Sequence, residues 1–257
     1  MKLGVNIDHI AVLKAARRIG EPDALQAVYV AAQNGADQIT IHLRGDRRHI
    51  DDYDAARIVQ NSPLPVNMEC GFDCIGEVAS LAPHRATLVP EKREEVTTEG
   101  GLDVEGGFNR IKEAVETLRG SAIKTSLFIE PSIKAVELSL KAGADCVEFH
   151  TGRFANIYAM LNSNLSRTPY SIKPLELSRT ALAAELRGEL KKLCESALYA
   201  QNEGLMVAAG HGLNYHNVRD IVEIEAVGEL NIGQSIVSRS IWVGLAEAIR
   251  EMRRLIG

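Results

Sequence analysis

Residues 34–43 read NGADQITIHL and residues 142–150 read AGADCVEFH. Each phrase puts a glycine where a helix should end, then Ala-Asp, then a run of strand length rich in β-branched or aromatic residues. This is helix-to-strand turn chemistry, because glycine takes the left-handed backbone at little steric cost. Its recurrence points to repeated strand–helix units. Working outward, short apolar runs at 2–7, 37–43, 65–70, 85–89, 122–129, 145–150, 205–209 and 229–232 predict strands. Helical periodicity fills 23–34, 51–61, 105–119, 132–142, 175–203 and 235–255. Eight strands alternating with helices predict an α/β fold, a (β/α)8 TIM barrel, with residues 1–257 as one domain and extra helical segments in the long strand-to-helix loops. A doubly wound open sheet is the competing architecture. Against it, no G-x-G-x-x-G follows the first strand; NIDHIAVL (6–13) stands there instead.

Composition narrows the function. Hydrophobic residues make up 46% and charged residues 25% of the 257, which fits a globular chain and excludes a disordered or fibrous one. A net charge of −5 argues against a general nucleic-acid binder, which needs a basic surface. No apolar run reaches the roughly 18 residues of a membrane span, and Asn6, Asp8 and His9 interrupt any signal-peptide core. The cysteines Cys70, Cys74, Cys146 and Cys194 form no C-x-x-C pair, and they read as reduced residues of a cytoplasmic protein. Zinc at Cys70 and Cys74 would need a second ligand pair, and none follows.

Strand alternation separates the faces. Leu3, Val5, Ile7, Ile39, Ile41, Leu43, Val66, Met68, Cys70, Val147 and Phe149 form the apolar set that must meet the helices. The opposite set then turns inward and brings Asn6, His42, Arg44, Glu69, Glu148 and His150 to the C-terminal ends of four strands. A purely structural barrel fills such positions with Val, Ile or Leu. Charges there must be paired, hydrated or used. Two histidines and two glutamates around one cavity suit general acid–base chemistry, and the same set could bind a divalent metal.

The seventh strand runs into AAGHGLNYHNV (208–218) and the eighth into LNIGQSIVSRSIW (230–242), each reaching a glycine before a helix. Loops after strands 7 and 8 form the common phosphate site of barrels, so Gly210, Gly212 and Gly233 would admit an anion and Gln234 and Ser235 could donate to it. Past the second strand, HLRGDRRHI (42–50) offers Arg44 and His49 for a second anion, with Arg47 and Arg48 read as solvated. Two anion sites imply one bisphosphate or two monophosphates. His211, between two glycines, reads as a proton donor or acceptor beside a phosphate. His84 reads as structural. The stretches 90–104 and 151–174 follow strands and are expected either to act as lids or to be disordered insertions.

At these residues the chain resembles the pyridoxine 5′-phosphate synthase family. The shared phrases run nearly end to end: GVNIDHIA at 4–11, ITIHLRGDRRHI at 39–50, LVPEKREEVTTEGGLDV at 88–104, VEFHTG at 147–152, AGHGLNYHNV at 209–218 and LNIG at 230–233. The resemblance implies condensation of 3-amino-2-oxopropyl phosphate with 1-deoxy-D-xylulose 5-phosphate, without metal or organic cofactor. It implies that His42 and Glu69 accept protons, His211 donates one and Glu148 stabilises the transition state. Asn6, Arg17, Gly212, Gly233 and Gln234 would hold the aminoketone phosphate; Asp8, His9, Arg44, His49 and Thr97 would hold the deoxyxylulose phosphate. A cytoplasmic homo-octamer, a tetramer of dimers, is implied as well. Two departures stand out: Gln234 replaces an expected histidine, and 151–174 is longer than in compact members.

Two other readings remain at this level. A lysine-dependent aldolase would use Lys124, inward by parity on the fifth strand. A non-catalytic phosphosugar-binding regulator would keep the glycine loops and arginines but have little need of His42, Glu69 and Glu148.

Overall fold

The computed structural model describes residues 1–91 and 100–257. Eight parallel strands close in sequence order: β1 (Lys2–Asn6), β2 (Gln38–Leu43), β3 (Val66–Cys70), β4 (Arg85–Leu88), β5 (Lys124–Ile129), β6 (Cys146–His150), β7 (Met206–Gly210) and β8 (Glu229–Ile232). Pairing of β8 with β1 shuts the barrel, with Leu3 opposite Leu230 and Val5 opposite Ile232. The open-sheet alternative is thereby excluded. Helices follow in the order α1 (Asp8–Arg17), α2 (Ala24–Gln33), α3 (Asp52–Asn61), α4 (Ile75–Leu81), α5 (Phe108–Gly120) and α6 (Ile133–Ala142). The remainder are α7 (Gly152–Asn162), α8 (Arg179–Asn202), α9 (Val218–Val222), α10 (Gln234–Val243) and α11 (Leu245–Ile256).

The alternation behaves as the pattern predicts. Leu3, Ile39, Ile41, Met68, Val147 and Phe149 are fully buried in the layer between barrel and helices, where removal of apolar surface from water drives the packing. Gly143 closes α6 in the left-handed region at φ 89°, as the AGAD phrase requires.

Two elements differ from expectation. Residues 8–17 form a helix straight off β1, started by the Asn6 side chain accepting the Asp8 amide at 2.9 Å. The predicted helix 235–255 is two, broken at Gly244, whose φ of 79° and ψ of 153° no helix contains. The stretch 151–174 carries one of the extra helical segments expected in the long loops. Its first half is α7, whose Ile157 and Met160 pack with Leu175 and Leu182 against α8 in a small second core. The central part of the other predicted lid, 92–99, lies outside the described residues.

The barrel interior is polar well below its mouth. Arg85 pairs with Glu229, donates to Gln38 at 2.8 Å and reaches Asn67 at 3.3 Å. Gln38 also donates to Glu229 at 3.0 Å, and Thr87 to Asn67 at 2.8 Å. Above this layer Thr40 donates to Asn231. This N-terminal network is the sealed floor on which the mouth stands.

Candidate active site

Of the inward residues at the C-terminal strand ends, Asn6, His42, Arg44, Glu69 and Glu148 line a cavity of about 680 Å³, whereas His150 does not. His42 and Glu69 are register partners on β2 and β3, with Nδ1 and Oε2 3.7 Å apart. The other ring nitrogen of His42, Nε2, lies 2.9 Å from Glu91 Oε1. Asp8 accepts the His42 backbone amide at 2.8 Å and the Asn6 side-chain amide at 2.8 Å, so β1 and β2 share one carboxylate. His49 Nδ1 sits 3.9 Å from the same Asp8.

Across the mouth, Asn231 on β8 donates to Glu148 on β6 at 2.7 Å. Gly210 makes this possible, since a Cβ there would fall 2.3 Å from Glu148 Oε1. His150 Nδ1 lies 2.7 Å from Glu130, and its ring stands 4.9 Å from that of His211. His211 has φ 78°, an uncommon conformation for a residue with a Cβ. Thr151 Oγ1 holds that loop by donating to the Gly210 and His211 carbonyls at 2.7 and 2.6 Å. Gly233 packs so closely on Asn6 that an added Cβ would meet the Asn6 Cβ at 2.9 Å. Gln234 then opens α10, and among the described residues no side chain caps it.

The electrostatics concentrate here. Burial, with the nearby Glu148 and Asp8 charges, pushes the Glu69 carboxyl well above its ordinary range. Glu148 is pushed up to about 7, by burial first, with Arg85 opposing and Glu229 adding. His211 is pulled down to about 4 by burial, then by His150 and His9. Burial lowers His9 and His49 as well. Around neutral pH the cavity thus holds carboxyls that can carry a proton and imidazoles that stay neutral, which is the condition for proton transfer in both directions.

Asn6, Asp8, His9, His42, Arg44, His49, Glu69, Glu148, His211, Gly212, Gly233 and Gln234 all line this one cavity. Arg17 does not; it is exposed at the far end of α1. Thr97 lies outside the described residues. Arg48, read as solvated, is on the cavity wall, whereas Arg47 pairs with Asp52 in a neighbouring pocket. Lys124 has the predicted parity but is the exposed first residue of β5, at the opposite end of the barrel. His84 is exposed at that same end. Cys70 is buried, and burial drives its thiol up, which disfavours the thiolate that zinc needs. Among the described residues no group of three His, Cys, Asp or Glu is arranged to hold a metal ion.

Sequence reasoning missed Glu91, Glu130 and Asn231, the partners of His42, His150 and Glu148. Glu130 follows β5 directly and Glu91 follows β4 by three residues, so both stand beyond the strands where alternation assigns a face. The available signal was the acidic residue itself just past a barrel strand. Among the described residues His9 Nδ1 and His150 Nε2 are buried without a hydrogen-bond partner.

A closed barrel whose C-terminal mouth gathers titratable side chains beside glycine-gated helix starts defines a class of acid–base barrel enzymes. The chain belongs to the family described as pyridoxal phosphate biosynthesis protein PdxJ, whose model matches residues 3–257. It is 60% identical over 258 residues to the pyridoxine 5′-phosphate synthase of a Nitratiruptor species, covering 100% of this chain and 97% of that one. The enzyme of the same name from Sulfurimonas denitrificans is 58% identical, with 99% of each chain covered. Among solved structures, a 4-hydroxy-2-oxoglutarate aldolase/2-deydro-3-deoxyphosphogluconate aldolase from TTHB1 superposes with a TM-score of 0.61 at 11% identity, covering 99% of this chain and 94% of that one. A phosphoribosyl anthranilate isomerase from Thermus thermophilus gives 0.56 at 15% identity, over 100% and 98%. At such identities these two speak for the fold alone. Family membership makes the chain an enzyme of vitamin B6 biosynthesis.

Proposed function

We propose that residues 1–257 act as one barrel domain that condenses 3-amino-2-oxopropyl phosphate with 1-deoxy-D-xylulose 5-phosphate. The products are pyridoxine 5′-phosphate, phosphate and water. The observation that carries this reading is the meeting of His42, Glu69, Glu148 and His211 in one cavity whose wall also bears Arg44, His49, Gly212 and Gly233. The amine of one substrate and the ketone of the other can form an imine between themselves, so the reading requires no lysine, metal or organic cofactor. Lys124, at the other end of the barrel, speaks against the aldolase alternative.

The remaining steps move protons. Glu69 and His42 accept them from carbon, Glu148 supports charge as it develops, and His211 protonates a leaving oxygen. Each such step is typically worth 10²–10⁴-fold, and holding the two substrates together adds to that. One phosphate lies at the uncapped start of α10 with Gly212, Gly233, Gln234 and Asn6, aided by the helix dipole. The other lies with Arg44, His49, His9 and Asp8. Arg17 and Thr97 belong to the two substrate sets by resemblance.

The reading includes a cytoplasmic homo-octamer, a tetramer of dimers. In its favour, Val12, Leu13 and Ile19 around α1 and Ile241 and Trp242 on α10 are exposed, Trp242 at 80%. Among the described residues no helix is long and apolar enough to cross a membrane.

The test is product formation by the purified protein from the two substrates. Pyridoxine 5′-phosphate appearing together with equimolar inorganic phosphate is expected. Absence of product, or a borohydride-trapped adduct on Lys124, would overturn the reading.

A further inference from the structure

We infer that Glu91 is a positioning residue that fixes the tautomer of His42, keeping the proton on Nε2 and leaving Nδ1 as the basic nitrogen toward Glu69. The inference deepens the proposed function and rests on its reading of His42 as a base.

Glu91 is held by two backbone amides. Its Oε1 accepts the Gly71 amide at 2.9 Å and its Oε2 accepts the Gly45 amide at 3.1 Å. Backbone amides only donate, so both carboxylate oxygens are fixed as acceptors. The third contact, His42 Nε2 at 2.9 Å from Oε1, is then satisfied when the ring donates. Although burial opposes it, these three hydrogen bonds hold the Glu91 carboxyl below its ordinary range, so it stays an acceptor.

The surroundings are built for this contact. A Cβ on Gly71 would lie 2.8 Å from the Glu91 carboxyl carbon, so the glycine after β3 makes room for a side chain arriving from beyond β4. Glu91 reaches past β3 to bind a histidine on β2, and it is only 16% exposed. The other described neighbours of His42 agree. Asp8 holds its backbone amide, His49 lies ring to ring at 5.8 Å, and Glu69 faces Nδ1 at 3.7 Å. His42 therefore stands between two carboxyls with different tasks, one accepting from Nε2 and the other exchanging a proton with Nδ1. A carboxylate that orients a histidine base in this way acts on rate rather than on binding.

The experiment reads the tautomer directly. Protein labelled with ¹⁵N-histidine, without substrate, should show His42 protonated at Nε2 and unprotonated at Nδ1. Glu91→Gln, whose amide can donate to Nε2, should shift that population toward the Nδ1–H form. It should also lower kcat at least about tenfold while each KM stays within about threefold. Glu91→Asp, which keeps the charge, should retain more of the wild-type tautomer than Gln does. An Nδ1–H tautomer in the wild type would overturn the inference, and so would unchanged kcat in Glu91→Gln or a loss of kcat with the tautomer unaltered. If the Gln variant fails to fold, the wild-type spectrum and Glu91→Asp still decide. The tautomer needs no substrate, so its failure tells against Glu91, whereas a correct tautomer without product formation tells against the reaction.

Discussion

At the N-terminal end of the barrel, Arg85, Glu229, Gln38 and Asn67 form one buried network in which the charge of Arg85 meets that of Glu229. At the C-terminal end, Glu69 and Glu148 are nearly as deep, yet among the described residues neither is matched by a cation of its own, and His211 is held neutral. Both ends are polar and both face the axis. The floor neutralises its charges and gains rigidity; the mouth keeps proton affinities displaced and gains reactivity. Burial of polar groups therefore does not mark function by itself. What marks it is burial without neutralisation.

The sharpest way to break the contrast is at the floor. Arg85→Met strands Glu229, and loss of one partner of a buried pair costs on the order of 3–5 kcal/mol. Thermal melting should fall accordingly, and a matching Glu229→Leu should restore much of it. Because Arg85 also restrains Glu148, the folded variant should show the Glu148 titration moved further up.

At the mouth the same kind of substitution should act through pH. Glu148 titrates near 7 when folded, against an ordinary 4.5. As pH rises through that window the unfolded chain gives up a proton the native chain keeps, so the wild type loses stability that Glu148→Gln does not. The advantage of the variant should grow from pH 5 to 8 and level off, reaching at most about 3 kcal/mol in denaturant titrations. For His211 the sign reverses. Its folded value near 4 lies below the ordinary 6.5, so the wild type loses stability as pH falls between them. His211→Gln should gain relative to wild type on acidification, by a similar amount.

The smallest effect is expected at Gln234, where the resemblance implies a histidine. Gln234→His adds a group able to carry charge at the start of α10 and should lower KM for the aminoketone phosphate by roughly fivefold, about 1 kcal/mol, with kcat unchanged. Steady-state kinetics with the other substrate saturating would show it.

Much of this was legible in the sequence. Period-two alternation put His42, Glu69 and Glu148 on the inner face, and the GAD turns with the glycine-terminated strands 7 and 8 gave the barrel and its mouth. Alternation cannot tell floor from ceiling, however. Lys124 shares the inward parity of Phe128 on the same strand but stands at the wrong end. Arg85 and Glu229 meet only because β4 and β8 face each other across a closed barrel, a long-range fact that no local pattern holds. Glu91 and Glu130 were missed because they stand past strand ends, where the chain no longer alternates. The extra helical segments expected in the long loops include α7, whose exact place rests on packing against α8 rather than on local propensity.

One preparation of Glu69→Gln, assayed for turnover and melted in the same buffer, addresses the central contrast most directly. The account predicts a fall in kcat of about 10²–10⁴-fold with a melting temperature equal to or above wild type, because the amide removes a desolvated acid and its loss strands no buried cation among the described residues. A lowered melting temperature with turnover near wild type would contradict it and would make Glu69 a second Arg85, a residue that holds the barrel rather than works in it.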